Sequence, residues 1–452
     1  MKTPAQIRAL VTGLSSSLRQ FSQRVRNRLV RTMTGGRWTD QLPNKIQHNL
    51  RAFWLDGLFA NASQQIIIDY NSIFVLALGA TRGQIGLMTS LTNLTAALML
   101  LPGAFMVERW GHRKDIVCYT GGVAGRITLL LLALTPIFFS GQTAVAIAIG
   151  LTVLRAAMGN LANPAWTSLT ADIVPLKWRG RYFSARNIAM SLAGMTFTYL
   201  AGQIISWIGE PTGYQWAFAL AFGVGMLSTY FFSRIRDRAA PESIGDEMKN
   251  GKSLWARIRA HPKFIAFCGS AVLWNFSLQI AGPFFNVYLV EELRATAAIV
   301  GTLSVIASLA ALPGQRLFGR LSDRWGSRRV QVLSGLFIPL LPVSWILARS
   351  PWHVAPIRIA ASFLWAGYNL ANFNALLTLT PQKRRARYTA VYNVLIALAN
   401  AGGAALGGVV ADTAGYTPIF VMSGVGRLLG ILLFIRFVRQ PETPDHTPEE
   451  VG

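Results

Sequence analysis

The chain has 452 residues, of which 52% are hydrophobic and only 14% charged, with a mean hydropathy of +0.38 and a formal net charge of +24. Soluble globular proteins rarely show this combination, and apolar stretches of about 20 residues recur along the chain, each long enough to cross a hydrocarbon core of roughly 30 Å as a helix. The reading is an integral, polytopic membrane protein, and the basic excess is a matter of topology and not of nucleic-acid binding.

Residues 1–51 hold a single acid, Asp40, and no uninterrupted apolar core, so they do not resemble a cleavable signal peptide. Within them "LRQFSQRVRNRLVRTM" alternates basic and apolar residues at helical spacing, which suits an anionic leaflet, or equally a frayed basic tail. Spans are then predicted near 52–79, 83–107, 114–139, 143–171, 182–208 and 214–233, and again near 264–290, 297–318, 330–348, 355–380, 388–411 and 417–435. With twelve spans, Lys and Arg gather on one side: in 1–51 and in 108–114, 176–186, 234–263, 316–329, 383–387 and 436–439. Only Arg82, Arg294, Arg349 and Arg358 are assigned to the other side. The positive-inside rule therefore puts both termini in the cytoplasm. Short external loops, with no targeting signal, point to a prokaryotic inner membrane.

The chain is built twice. "AFMVERWGHRK" at 104–114 matches "GRLSDRWGSRR" at 319–329, with Gly111 and Gly326 lying 215 positions apart. "NLANPAWTSLT" at 160–170 matches "NLANFNALLTL" at 369–379, and "RGRYFSARN" at 179–187 matches "RARYTAVYN" at 385–393, in the same order. The expected domains are a basic segment 1–51, a six-helix bundle 52–233, a charged linker 234–263, a second bundle 264–438 and a tail 439–452. Six is an even number, so both copies enter the membrane with the same orientation, which is the parallel-repeat plan of secondary transporters. Cys118 and Cys268 fall inside spans and imply neither a disulfide framework nor a metal site. No G-x-x-x-x-G-K-[ST] motif and no His/Cys cluster occurs, so neither ATP drive, a cofactor nor an enzyme is expected.

From about residue 50 to 440 the chain resembles the major facilitator superfamily, all-α membrane proteins with twelve helices in two six-helix repeats. The turn after the eighth span fits the family's signature at Gly319, Asp323, Arg324, Gly326, Arg328 and Arg329. The turn after the second span is looser, with Ala104 at the first glycine position and Glu108 in place of the aspartate, then Arg109, Gly111, Arg113 and Lys114. The resemblance implies that these turns latch the cytoplasmic side in the outward-facing state, with Asp172 an extra partner; the alternative is that the charges only set topology. Glycine permits the tight reversal, and arginine supplies forked donors.

Charge inside an apolar span is costly and by default functional. "RAAMG" at 155–159 matches the family's Arg-x-x-x-Gly pattern, which the resemblance associates with proton coupling. Arg155, Gly159, Asn163 and Trp166 share one face of the fourth span, and Asn61, Gln65 and Asp69 one face of the first. Asp69 and Arg155 lie at similar depth, so a proton-coupling pair between them, or a merely structural one, is expected. Asp56 is expected to pair with Arg186 or to cap its helix, and Arg126 and Arg427 to be structural or lipid-facing snorkellers, with a substrate role as the alternative. Asn275, Gln279, Gly282 and Asn286 make a stripe on the seventh span, and Trp365, Asn369 and Asn372 on the tenth. The resemblance places the first, fourth, seventh and tenth spans around a central cavity. Gly282-Pro283 should bend the seventh.

The expected function is a secondary transporter, a monomer in the lipid bilayer that moves a small molecule by alternating access with protons as coupling ion. The leading substrate class is amphipathic, drug-like compounds leaving the cell; the alternatives are uptake of a sugar or organic anion, and a non-transporting sensor or lipid scramblase. The family's antiporter pattern is weak in "SLAGMTFTYLAG" at 191–202, and the glycine-rich run sits instead in "AGGAALGG" at 401–408.

Overall fold

Local signals fix the helix ends. Thr81 opens a capping box, its hydroxyl accepting from the Gln84 amide while the Gln84 side chain accepts from the Thr81 amide. Thr296 caps a later helix through its side chain alone, which accepts from the Ile299 amide. The two signature turns reverse at Gly111 (φ 64°) and Gly326 (φ 79°), backbone conformations that a Cβ penalises. The computed structural model describes residues 36, 38, 42–237, 261–380 and 385–438, so the basic N-terminal segment, most of the linker and the tail lie outside the described residues.

The helices of the first bundle are α1 (Asn44–Ala77), α2 (Arg82–Trp110), α3 (Arg113–Phe138), α4 (Gly141–Ile173), α5 (Arg179–Ile208) and α6 (Thr212–Ser233). Those of the second are α7 (Pro262–Glu291), α8 (Ala297–Trp325), α9 (Ser327–Ile346), α10 (Val354–Leu379), α11 (Arg385–Ala414) and α12 (Tyr416–Phe437). Among the described residues ten of these are long and apolar enough to cross a membrane by composition alone, all but α1 and α10. Those two carry polar stripes that lower their hydropathy. α1 starts at Asn44, earlier than the expected 52, because the preceding Pro43 suits a helix entry and His48 and Asn49 bond the carbonyls of Arg234 and Arg236 at the end of α6.

Two helices are irregular. α3 contains a π-helical stretch, Cys118–Ala124, and α7 passes through a 3-10 turn, Gly282–Phe284, at the expected proline. The outer faces are apolar, with Leu98, Leu101, Phe105 and Phe138 largely exposed, as lipid contact requires.

The end of the molecule bearing Arg82, Arg294 and Arg349 is called here the arginine-poor end, and the end bearing the signature turns the arginine-rich end. At the arginine-poor end one hydrophobic core runs through both bundles, joining Phe74, Ile85 and Phe218 to Phe284, Val300 and Phe420. Toward the arginine-rich end each bundle has its own core, around Phe53 and Tyr182 in the first and around Phe267 and Tyr388 in the second. The bundles meet mainly where α2 packs on α11 and α5 on α8.

Candidate functional site

The seam between the bundles is polar as well as apolar at the arginine-poor end. Arg82 Nε donates to Glu291 at 2.9 Å, and a second nitrogen lies 3.6 Å from Glu292. Tyr416 also donates to Glu291, and Thr81 donates to Asp412 at 3.1 Å. Tyr70, fully buried, reaches the Thr198 and Ala297 carbonyls at 3.0 and 3.1 Å, with Gly202 and Gly301 leaving room for its hydroxyl. At the arginine-rich end the bonds of the buried Arg113 and of Arg328 run to their own sides, Arg113 to Asp172 and Asp237 and Arg328 to the end of α12.

Deeper in the same seam lies a buried network centred on Asp69 of α1. Its carboxylate accepts from Ser304 of α8 at 3.0 Å and from Gln65 at 3.3 Å, and its backbone carbonyl accepts from Asn286 of α7 at 3.1 Å. Arg358 of α10 closes the circuit, donating to Ser304 at 3.2 Å and to the Asn286 side-chain oxygen. One residue of the first bundle is thereby bonded to α8 and α7 of the second and, through Ser304 and Asn286, linked to α10.

This differs from the expected pairing. Arg155 does not meet Asp69; its guanidinium donates to Gln64, and no carboxylate among the described residues pairs with it. Depth along the two spans is indeed similar, but Gln64 and Asn71, which bonds Thr152, mark the side of α1 that faces α4, while Asp69 is turned toward α8. Arg358, counted from the sequence only as an outer-side charge near the start of the span 355–380, stands in α10 as the basic partner of the network. It lies seven residues before Trp365 and eleven before Asn369, so the polar stripe on the tenth span, extended by two turns, would have included it.

The other expected residues are dispersed. Asn61 spends its amide on the Met190 carbonyl of α5 at 2.7 Å, and Asn275 on its own helix at Ala271. Asn163 and Asn369 are exposed on α4 and α10, and Gln279 is half-buried on α7. Asn372 bonds Tyr392 and Gln331 within the second bundle, and Trp365 packs on Trp274 and Tyr368. Trp166 stacks obliquely on Phe53 and faces the interior of the first bundle.

Of the two expectations for Arg126 and Arg427, the positions agree with a structural one and not with a lipid-facing one. Arg126 points into the first bundle, where it donates to Ser63 at 3.2 Å, and Arg427 is buried in the second with Nε and Nη2 unmatched. Gly225 of α6 leaves room for the Arg126 side chain, and Gly426, next to Arg427, packs on Ser277 of α7. Asp56 does meet Arg186, at 3.7 Å, and accepts from Ser228 at 2.8 Å.

At the signature turns Arg113 is buried and donates to Asp172 at 2.7 Å, to Ser168 at 2.8 Å and to Asp237 at 3.0 Å, so Asp237 is a partner that the sequence did not reveal. Arg328 donates to the Ile435 and Val438 carbonyls at the end of α12. Glu108, Gly111, Gly319 and Gly326 are half-buried there, and Arg109, Asp323, Arg324 and Arg329 exposed. Every one of these bonds stays within its own bundle.

The family model described as Major Facilitator Superfamily matches residues 57–281 and 267–452. A multi-drug resistance efflux pump PmrA homolog of Lactococcus lactis is 22% identical over 406 residues, covering 86% of this chain and 95% of that protein. The multidrug resistance protein MdtG of Salmonella typhimurium is 22% identical over 414 residues, covering 87% and 95%. Among solved structures, a D-xylose-proton symporter superposes with a TM-score of 0.67 at 15% identity, covering 88% of this chain and 99% of that one. A bacterial homolog of the human lysosomal transporter Spinster, in an inward-facing and occupied conformation, gives 0.65 at 15% identity, covering 87% and 96%.

Proposed function

The chain belongs to the major facilitator superfamily, and we propose that it exports amphipathic small molecules across a bacterial inner membrane in exchange for protons. That it is a membrane transporter follows from the family; the substrate, direction and coupling are the proposal. Two similar proteins named for multidrug resistance, matched over nearly their whole length, support the substrate class and direction.

The observation that carries the coupling is the Asp69 network. With the arginine-rich end in the cytoplasm, as the positive-inside rule requires, the sealed end faces outward and the conformation is inward-facing. The ionised carboxylate accepts from Ser304 and Gln65 in charge-assisted hydrogen bonds, which are stronger than those to a neutral carboxyl, and its negative charge holds Arg358 close. The ionised form thus favours the sealed seam, since hydrogen bonds to charged groups are worth about 1.5–3 kcal/mol each. Protonation of Asp69 removes that charge, loosens Arg358, and lowers the cost of separating the bundles. A substrate that captures Arg358 acts on the same circuit from the other side. Arg155, on the opposite face of α1, then contributes to the shape and field of the N-terminal bundle and not to this circuit.

The test is flux of amphipathic dyes in proteoliposomes under an imposed pH gradient, comparing the wild type with Asp69→Asn. The amide keeps the size but cannot exchange a proton. The expected result is at least a tenfold loss of gradient-driven flux, with dye exchange down its own gradient retained. Equal gradient dependence in both proteins would remove Asp69 from the coupling, and dye uptake without export would favour the second reading. That reading, proton-coupled uptake of an organic anion, has one observation in its favour: the membrane-embedded arginines outnumber the acids.

A further inference from the structure

On the far side of α1 from Asp69 lies a partly open cavity. Asp56 and Asp69 are thirteen residues apart, roughly 140° around a helix of 3.6 residues per turn, so the two aspartates face different compartments. The cavity facing Asp56, about 250 Å³, is lined by α1, α3, α4, α5 and α6 toward the arginine-rich end of the first bundle. Asp56, Arg126 and Arg186 line it together with Val117, Trp166 and Phe232.

Its charges do not balance. Arg186 is satisfied: it approaches Asp56 at 3.7 Å, donates to the Phe53 carbonyl at 3.1 Å, and lies 4.0 Å over the Phe53 ring. Asp56 is spent on Arg186 and on Ser228. Arg126 has one neutral acceptor, the Ser63 hydroxyl, which itself donates to the Ala221 carbonyl, and its Nε is buried with no acceptor. A guanidinium in this setting is costly unless an anion meets it. Its planar fork suits a carboxylate in two-point contact, and the apolar walls suit a small hydrophobic body attached to that carboxylate. The volume is below that of drug-sized pockets, about 300–1,000 Å³, which limits the occupant to roughly a single ring. The π-helical stretch Cys118–Ala124 forms part of the wall, and such distortions are frequent at binding sites.

We propose that this compartment is a binding site for a small aromatic or aliphatic carboxylate, held by Arg126 and separate from the space between the bundles. The site stands whether or not the chain exports drugs, since it rests on the interior of one bundle.

The experiment measures thermal stability of the purified full chain in detergent against benzoate, with benzyl alcohol as the uncharged probe of similar size. Benzoate is expected to raise the melting temperature in a saturable way and benzyl alcohol not to. Arg126→Gln should weaken the benzoate effect at least tenfold in concentration, Arg126→Lys less so, and Arg358→Gln should leave it intact. Ala60→Leu, which fills the compartment without touching a charge, should abolish the effect and decides the matter if Arg126→Gln does not fold. The proposal is overturned if benzoate has no effect on the wild type. It is equally overturned if the effect survives Arg126→Gln and Ala60→Leu but is lost in Arg358→Gln or Arg155→Gln, because the carboxylate would then sit between the bundles.

Discussion

A guanidinium taken out of water needs acceptors, and the arginines of this chain differ in how they find them. Arg186 uses a carboxylate and a carbonyl, Arg358 a serine and an asparagine, Arg155 a glutamine, and Arg427 leaves two nitrogens unmatched. The equivalent residue in the first bundle shows what an apolar answer looks like: "GVGM" at 223–226 aligns with "GVGR" at 424–427, so Met226 occupies the place of Arg427. A buried charge without a full set of partners carries an uncompensated desolvation cost, which an apolar residue of similar length avoids. Arg427→Met is therefore expected to leave the protein as stable as the wild type or more so in a detergent melt. A clear loss of stability would mean that Arg427 has an essential partner. The arginine positions also mark how far residue-level reading reaches. The Arg113–Asp172 and Asp56–Arg186 pairs were accessible because each joins residues near the same membrane face, where few alternatives exist. The Asp69–Arg155 pair was not formed because depth can be counted along a sequence, whereas rotation of a helix about its own axis is set by which small residues pack inward.

At the scale of elements, the glycines of α11 show the same point. The run at 401–408 reads from the sequence as a displaced antiporter pattern, yet it serves close packing. A Cβ on Gly403 or Gly407 would fall 2.1 and 2.2 Å from the Phe276 and Ile280 carbonyls of α7. Gly86 of α2 and Gly408 face each other across the bundle seam, and a Cβ on Gly86 would lie 2.5 Å from the Gly408 Cα. Close backbone approach through small residues is how helices associate in membranes, where no hydrophobic force drives them together. The contact at Gly408 exists only while the arginine-poor end is sealed, unlike those at 403 and 407, which lie within one bundle. Gly408→Leu should therefore fold but fail to seal. Its expected signature is at least a tenfold fall in transport, together with faster labelling by a membrane-impermeant thiol reagent of a cysteine placed at Thr81. Unchanged transport would show that the seam tolerates several ångströms of separation.

Over the whole molecule, the twelve-helix plan and the two repeats were legible because period, span length and charge asymmetry each repeat many times along the chain. The closure was not, because the partners that seal the arginine-poor end are far apart in sequence: Arg82 with Glu291, Thr81 with Asp412, and Tyr70 with Ala297. That closure also makes the strongest demand on alternating access. If the bundles rock about the Asp69 network, the two ends cannot be open at once, and sealing one favours opening the other. A cysteine pair at Thr81 and Asp412 should then be bridged by a short thiol crosslinker in the resting protein. A pair at Glu108 and Asp323 should not be bridged until the other end opens. The native Cys118 and Cys268 are buried, which keeps the background low. Bridging the first pair should stop transport, and cleaving the linker should restore it. Adding Asp69→Asn, which mimics the protonated carboxyl, should slow bridging of the first pair and speed that of the second, because one network governs both. Should the mutation change one pair without the other, the ends would be moving independently, and the Asp69 circuit would be a local contact instead of the fulcrum of the cycle.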